Sequence, residues 1–172
     1  MSTYSPSLRA ELITSGDQAG QWGNTTNSNF AYVFDSAIAG YVPVTVGASA
    51  NFVLTYNNGP VADENLNQSI AAMLSLNAAT AAFNVFAPPV SKQYIIWNNS
   101  GYAATIYNST VIGNTTAAGT GVTIADGDRV LVWSNGTNFY EIKTNNITGT
   151  VAIANGGTGQ TTANAAFNAL AP

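Results

Sequence analysis

Residues 121–143 read GVTIADGDRVLVWSNGTNFYEIK. Three short runs of β-branched and aromatic residues, at 121–125, 129–134 and 139–143, are set apart by Asp126-Gly127-Asp128 and by Asn135-Gly136. These residue types suit a pleated, half-buried surface, and the Gly-containing breaks suit tight turns. Working outward, the same punctuation recurs. VPVTV occupies 42–46, and Phe52, Leu54 and Tyr56 share one face of the next run before Asn57-Asn58-Gly59-Pro60 ends it. A run at 83–87 is closed by Pro88-Pro89, and runs at 93–97 and 102–107 flank Asn98-Asn99-Ser100-Gly101. That spacing predicts a hairpin in which Tyr94, Trp97, Tyr102 and Tyr107 pair across strands. The expected fold is therefore mainly β, an antiparallel β-sandwich or jelly-roll-like domain over residues 42–146. Trp97 and Trp133 are expected in its core.

Residues 63–76 fit two periods. Leu66, Ile70, Met73 and Leu74 have helical spacing behind a capping Asp63. Read as a strand, Ile70, Ala72, Leu74 and Leu76 point inward while Ser69, Ala71, Met73 and Ser75 point out. The neighbouring strands favour the second reading.

Before the sandwich, residues 1–26 form an expected extended arm. From 16 to 26 it is built of Gly, Asp, Gln, Asn and Thr around one large side chain, Trp22. Such a composition does not fold alone but can lie along another surface. At 27–41 a short helix is expected: Asn27 or Ser28 caps it, Phe30, Val33, Phe34, Ala37 and Ile38 make its apolar stripe, and Gly40 stops it. After the sandwich, 147–172 reads as a Gly-rich connector and a second short helix, capped by Thr161 or Thr162, with Ala166, Phe167 and Leu170 on one side.

Composition removes most chemistries. With no His and no Cys, Ser-His-Asp and Cys-His catalysis, disulfides and the usual zinc sites are excluded. Net charge is −4, and the only cations are Arg9, Lys92, Arg129 and Lys143, widely scattered, so no nucleic-acid partner is expected. The segment 70–90 is interrupted by polar residues and prolines, so no membrane insertion is expected either, and MSTYSPSLRAEL lacks the basic and apolar segments of a secretory signal. Gly156-Gly157-Thr158-Gly159-Gln160-Thr161 has no lysine after its glycines and no α/β context, so it is a turn rather than a phosphate loop. Asp126 and Asp128 are too few for calcium and fit a tight turn. No catalytic, cofactor-binding or metal-binding residue is assigned. Charged residues make up 7% of the chain, and solubility resting on Asn, Thr, Ser and Gln suits a protein packed into an assembly.

Two segments carry a family resemblance. The first, L-R-x-E-L-I-x-S-G-x-Q-x-G-x-W-G-x-x-T-N-x-N-F leading to A-I-A-G-Y, resembles the N-terminal region of phage tail fibre proteins. The second, I-x-x-G-G-T-G-x-T-T-x-x-x-A-x-x-x-L, resembles a connector repeated in phage fibres. K-x-Y-x-x-x-N-N-S-G-Y, G-x-G-V-x-I-x-x-G and W-S-N-G-T-N between them resemble the β-rich domain that follows the arm. The resemblance implies a non-enzymatic virion protein, a homotrimer that attaches to a tail or baseplate protein and supports host adsorption. It implies tail docking through Leu12, Trp22, Phe30 and Phe34, and a connector formed by Gly156, Gly157, Gly159, Phe167 and Leu170. The alternative is a carbohydrate-binding module that meets host surface glycans directly through exposed aromatic residues.

Overall fold

The computed structural model describes residues 3–143, 160 and 162–170. The chain divides into two compact units, Met1–Ile142 and Lys143–Pro172.

The first unit is mainly β and is built of two principal sheets. The strands are β3 (Tyr41–Gly47), β4 (Asn51–Val53), β5 (Met73–Ala79), β6 (Phe83–Ala87), β7 (Ser91–Asn99), β8 (Ala104–Asn108), β9 (Val122–Ile124), β10 (Arg129–Asn135) and β11 (Phe139–Glu141). One sheet has the order β11-β10-β7-β5-β3 and the other β4-β6-β8-β9. From β3 to β8 the chain changes sheet at every strand, and each strand lies parallel beside the one two before it. Met73 pairs with Ile95, 22 residues on, and Phe83 with Ala104, 21 residues on. The first part of the sandwich is thus a two-sheet coil. Within these two sheets antiparallel pairing is confined to β8 with β9, β7 with β10 and β10 with β11.

Two expected hairpins are therefore corners. Asn98 to Gly101 carries the chain from one sheet to the other, so β7 and β8 do not pair, and Tyr94 and Trp97 stand on opposite faces of β7. A turn signal marks where a chain changes direction, and alternation looks the same whichever sheet receives the next strand. Asp126-Gly127-Asp128 is a second corner. Asn135-Gly136 alone of these three makes the hairpin its sequence suggests, with Trp133 opposite Tyr140.

The two corners are bolted together. Asn98, fully buried, donates its amide to the carbonyls of Tyr102 (2.7 Å) and Ile124 (2.9 Å) and accepts from the Ser100 hydroxyl (2.7 Å). The backbones cross-link as well, Gly127 N–H to Asn98 O at 2.7 Å and Asn98 N–H to Asp128 O at 2.9 Å. Asp126 Oδ1 accepts from the Gly101 N–H at 2.7 Å, and Gly101 has the left-handed φ of 89° that a side chain would resist. Between the sheets lie Val42, Val44, Leu74, Leu76, Val85, Ile96, Ile106, Ile124 and Val132, none more than 1% exposed. Each such side chain contributes about 1.5–3 kcal/mol on burial. No buried side-chain nitrogen or oxygen among the described residues lacks a hydrogen-bond partner.

Residues 63–76 follow neither reading throughout. Two 3-10 turns, Glu64–Leu66 and Gln68–Ile70, precede β5, and Asp63 caps the first by accepting from Asn65 N–H at 3.0 Å. Leu74 and Leu76 point into the core as the strand reading requires, but Ser69, Ala71 and Ser75 are buried too. Polar side chains win locally: Ser69 Oγ donates to Thr55 O (2.8 Å), and Asn67 Oδ1 accepts from Asn57 N–H (3.1 Å), which holds this stretch against 55–57 instead of extending it.

The N-terminal segment is also more structured than an extended arm. β1 (Thr3–Tyr4) and β2 (Glu11–Leu12) pair antiparallel. Helix starts at Trp22 rather than 27: α1 (Trp22–Ser28) continues through a π-helical turn (Asn29–Phe34) into α2 (Asp35–Ala39). Gln18 sets the start, since its carbonyl accepts from the N–H groups of Gln21 (2.8 Å) and Trp22 (3.0 Å) while its side chain accepts from the Thr25 hydroxyl (2.5 Å). Polar residues expected in an extended arm become helix once the Gln18 carbonyl accepts from the first turn and its side chain holds Thr25.

In the second unit α3 (Ala163–Leu170) is capped by Thr162, whose Oγ1 accepts from Ala165 N–H at 3.2 Å. Phe167 and Leu170 are each 72% exposed. Gly156, Gly157 and Gly159 lie outside the described residues.

Asn98→Ala removes the amide donor from the buried Ile124 carbonyl and from the Tyr102 carbonyl, which keeps the Ser100 hydroxyl, and is expected to lower unfolding stability by about 1–3 kcal/mol. Asn99→Ala, at an exposed position, is expected to stay within about 0.5 kcal/mol. Urea melts of the two variants against the parent check this.

Candidate docking surface

The helical run of residues 22–39 is set on a small core of its own. Val33 is fully buried with Ala10 and Ile70, and Leu8, Phe34 and Tyr56 pack around them. The N-terminal hairpin holds this cluster closed. Asn29 presents its side-chain amide to the backbone of Glu11 much as a neighbouring strand would, accepting from Glu11 N–H at 3.0 Å and donating to Glu11 O at 2.8 Å. Arg9 adopts a left-handed φ of 59°, donates from Nε to Asn58 Oδ1 (2.7 Å) and lies between the rings of Tyr4 and Tyr56, 5.6 and 5.9 Å from their centroids. The Tyr56 hydroxyl donates to Ser7 O at 2.9 Å.

With one side committed inward, the helix turns large apolar residues outward. Trp22 is 62% exposed, Phe30 61% and Ile38 80%. Phe34 is half-buried in the small core and supports Phe30, ring centroid to ring centroid 5.5 Å. Of the four expected docking residues, Phe30 and Phe34 are thus in contact, Trp22 opens the same helical run, and Leu12 is exposed on β2. The lengthened turn of the π segment shifts the helix stripe, and such turns concentrate at functional sites.

Beyond Ile38 the apolar surface continues. A groove of about 340 Å³ is lined by Ala37 and Ile38 from the helix, Ala72, Gln93 and Ile95, and Leu131 from β10. It opens on the outer face of the five-stranded sheet, where Trp133 and Tyr140 stack at 5.5 Å and the Arg129 guanidinium lies 4.4 Å from the centroid of Trp97. Both tryptophans expected in the core are on this outer face. Strand parity decides it, because Tyr94, Ile96 and Val132 take the inward positions between them. Sequence reasoning placed Ile38 in the helix stripe but not among the docking residues, and it missed this sheet face. The signal was present in Tyr94-Ile95-Ile96-Trp97 and Val130-Leu131-Val132-Trp133, continuous apolar runs that mark strands apolar on both faces.

Lys92 lies beside the groove. Its ammonium donates to Ala71 O (2.7 Å) and Gln93 O (3.1 Å) and sits 4.0 Å from the centroid of the Tyr94 ring. Burial lowers its pKa to about 7, against the preference of these contacts for the charged form. Burial, reinforced by Tyr56, raises the Tyr94 phenol; Tyr56 is also raised by burial, and the Arg9 charge opposes that rise.

Among the described residues no three Asp or Glu side chains gather as a metal site, and no helix is long and apolar enough to cross a membrane. Comparison with protein-family models, curated proteins and solved structures finds no match. What the surface offers chemically is a neutral apolar ridge joined to a neutral apolar groove, suited to covering by another nonpolar surface.

The Lys92 shift has a definite sign. The unfolded chain protonates this amine in the ordinary lysine range, whereas the native chain does so only below about 7. Between pH 7 and 9 the unfolded state therefore binds more protons, and stability on Lys92's account rises with pH. The urea midpoint is expected to increase over that interval in the parent and to lose most of the increase in Lys92→Met, measured by equilibrium unfolding at both pH values.

Proposed function

We propose that this chain is a structural, non-catalytic protein of a phage virion, a tail fibre or fibre-like adaptor that attaches to a tail or baseplate protein and supports host adsorption. The observation that carries the reading is the outward-facing Phe30 and Ile38 on a helix pinned through Val33 and Asn29. A solitary surface helix has no use for an exposed Phe and Ile on a rigid mount unless another surface covers them. The mount supplies preorganisation: Asn29 and the hairpin fix the helix before contact, so little ordering is left to oppose binding.

Three further features support it. The motifs at 8–41 and 147–172 resemble those of tail fibres at both ends of the chain. The low charge suits permanent packing in an assembly. The exposed Phe167 and Leu170 of a two-turn helix need partners, as copies gathered around a fibre axis would supply. On this reading the helix ridge and Trp22 face the virion, with copies associating as a homotrimer.

Phe30→Ser with Trp22→Ala is expected to weaken incorporation into virions at least tenfold, since burying one such side chain contributes about 1.5–3 kcal/mol. Both residues are exposed, so the thermal melt should move little. Quantitative immunoblotting of purified particles reads the outcome, and particles carrying the variant at the parental level would contradict the proposal.

A further inference from the structure

The geometry points to the outer face of the five-stranded sheet as the surface through which copies of this chain meet one another, adjoining at Ile38 the helix ridge whose Trp22 and Phe30 meet the tail. This deepens the preceding proposal, resting on its premise that the chain works in an assembly, and it assigns the contact between copies to a particular surface.

Register brings Tyr41, Met73, Ile95 and Leu131 side by side on β3, β5, β7 and β10, and Ile142, whose N–H donates to Leu131 O, ends the row. The row spans five chain passes, about 19 Å at the usual strand spacing. Next to it, across β10 and β11, stand Trp133 and Tyr140. Ile95 is 40% and Trp133 41% exposed, so the row is open in the single chain. The rim is polar: Thr45, Asn77 and Asn99 form the parallel row towards one end, with Asn99 donating to Asn77 Oδ1 at 3.3 Å. An apolar centre with a polar margin is the anatomy of a protein interface.

Charge selects the occupant. The central row carries no ionisable group except the Tyr41 phenol, and Arg129 beside it is occupied by the Trp97 ring. A partner must bring an equally uncharged face or bury unpaired charge. Further copies bring this same row, and three such rows gathered around a common axis meet without charge conflict. A glycan fits less well. Trp133 and Tyr140 stack against each other, 24° between ring planes, instead of lying side by side as a platform, and the groove offers a single amide side chain, Gln93, for sugar hydroxyls.

The test uses the purified full chain. Sedimentation equilibrium should show concentration-dependent association for the parent, weakened at least tenfold by Ile95→Thr, which keeps a β-branched residue on the strand, and by Leu131→Thr. Phe30→Ser should associate as the parent does. Because the chain has no cysteine, Ile95→Cys gives a second readout: mild oxidation should yield covalent dimers, whereas Phe30→Cys should not. A parent that stays monomeric at high concentration, or association lost in Phe30→Ser and kept in both sheet variants, overturns the assignment. Virion incorporation is not read in this experiment, so its result is independent of the tail-docking test.

Discussion

The buried amide of Asn98 sits where two corners of the chain meet, and the two-sheet coil depends on that junction. One corner takes the chain from β7 to β8 and the other from β9 to β10. Each must carry the chain past the end of the hydrophobic core, and Asn98 itself is fully buried there. Asn98 supplies two donors to carbonyls on opposite sides of the junction, and Asp126 closes it from outside through Gly101. A hydrophobic residue at 98 would take this donor from the Ile124 carbonyl, at a cost of about 1–3 kcal/mol, and leave the Tyr102 carbonyl with the Ser100 hydroxyl alone.

Once the corners are fixed, the rest of the surface follows. From β3 to β8, crossing between sheets after each strand stacks alternate strands in parallel, so equivalent positions fall in rows across the sheet. Inward rows of Val, Leu and Ile fill the core. One outward row on the five-stranded sheet, Tyr41, Met73, Ile95 and Leu131, is apolar as well, and the helical run of residues 22–39 delivers Ile38 to its margin. A chain with 7% charged residues has few means of solvating such a face. Burial against another nonpolar surface is the economical solution, and it is the physical basis for reading the molecule as a component of an assembly.

The sequence disclosed its strands better than their partners. The mainly β two-sheet character was legible from 121–143 outward, because two-residue alternation and Gly-containing breaks are local properties. Partnering is not local: Asn98-Asn99-Ser100-Gly101 and Asn135-Gly136 look alike as turn signals, yet only the second joins strands that pair. The helix ridge was largely legible from Phe30 and Phe34. Its true start at Trp22 was hidden in the side-chain bonds of Gln18 and Thr25, and the docking of 3–12 in the amide of Asn29, which no periodicity records. Trp97 and Trp133 were misplaced because residue type suggested burial, whereas the parity of the surrounding runs put Tyr94, Ile96 and Val132 inside.

The central claim is that the helix ridge faces the virion. A cryo-electron microscopy map of the particle, at a resolution that shows side chains, tests it most directly. The account predicts residues 22–39 seated against a tail or baseplate protein, with Trp22 and Phe30 covered. A map with that helix in solvent, or with the chain oriented so that its ridge points towards the host cell, would contradict it.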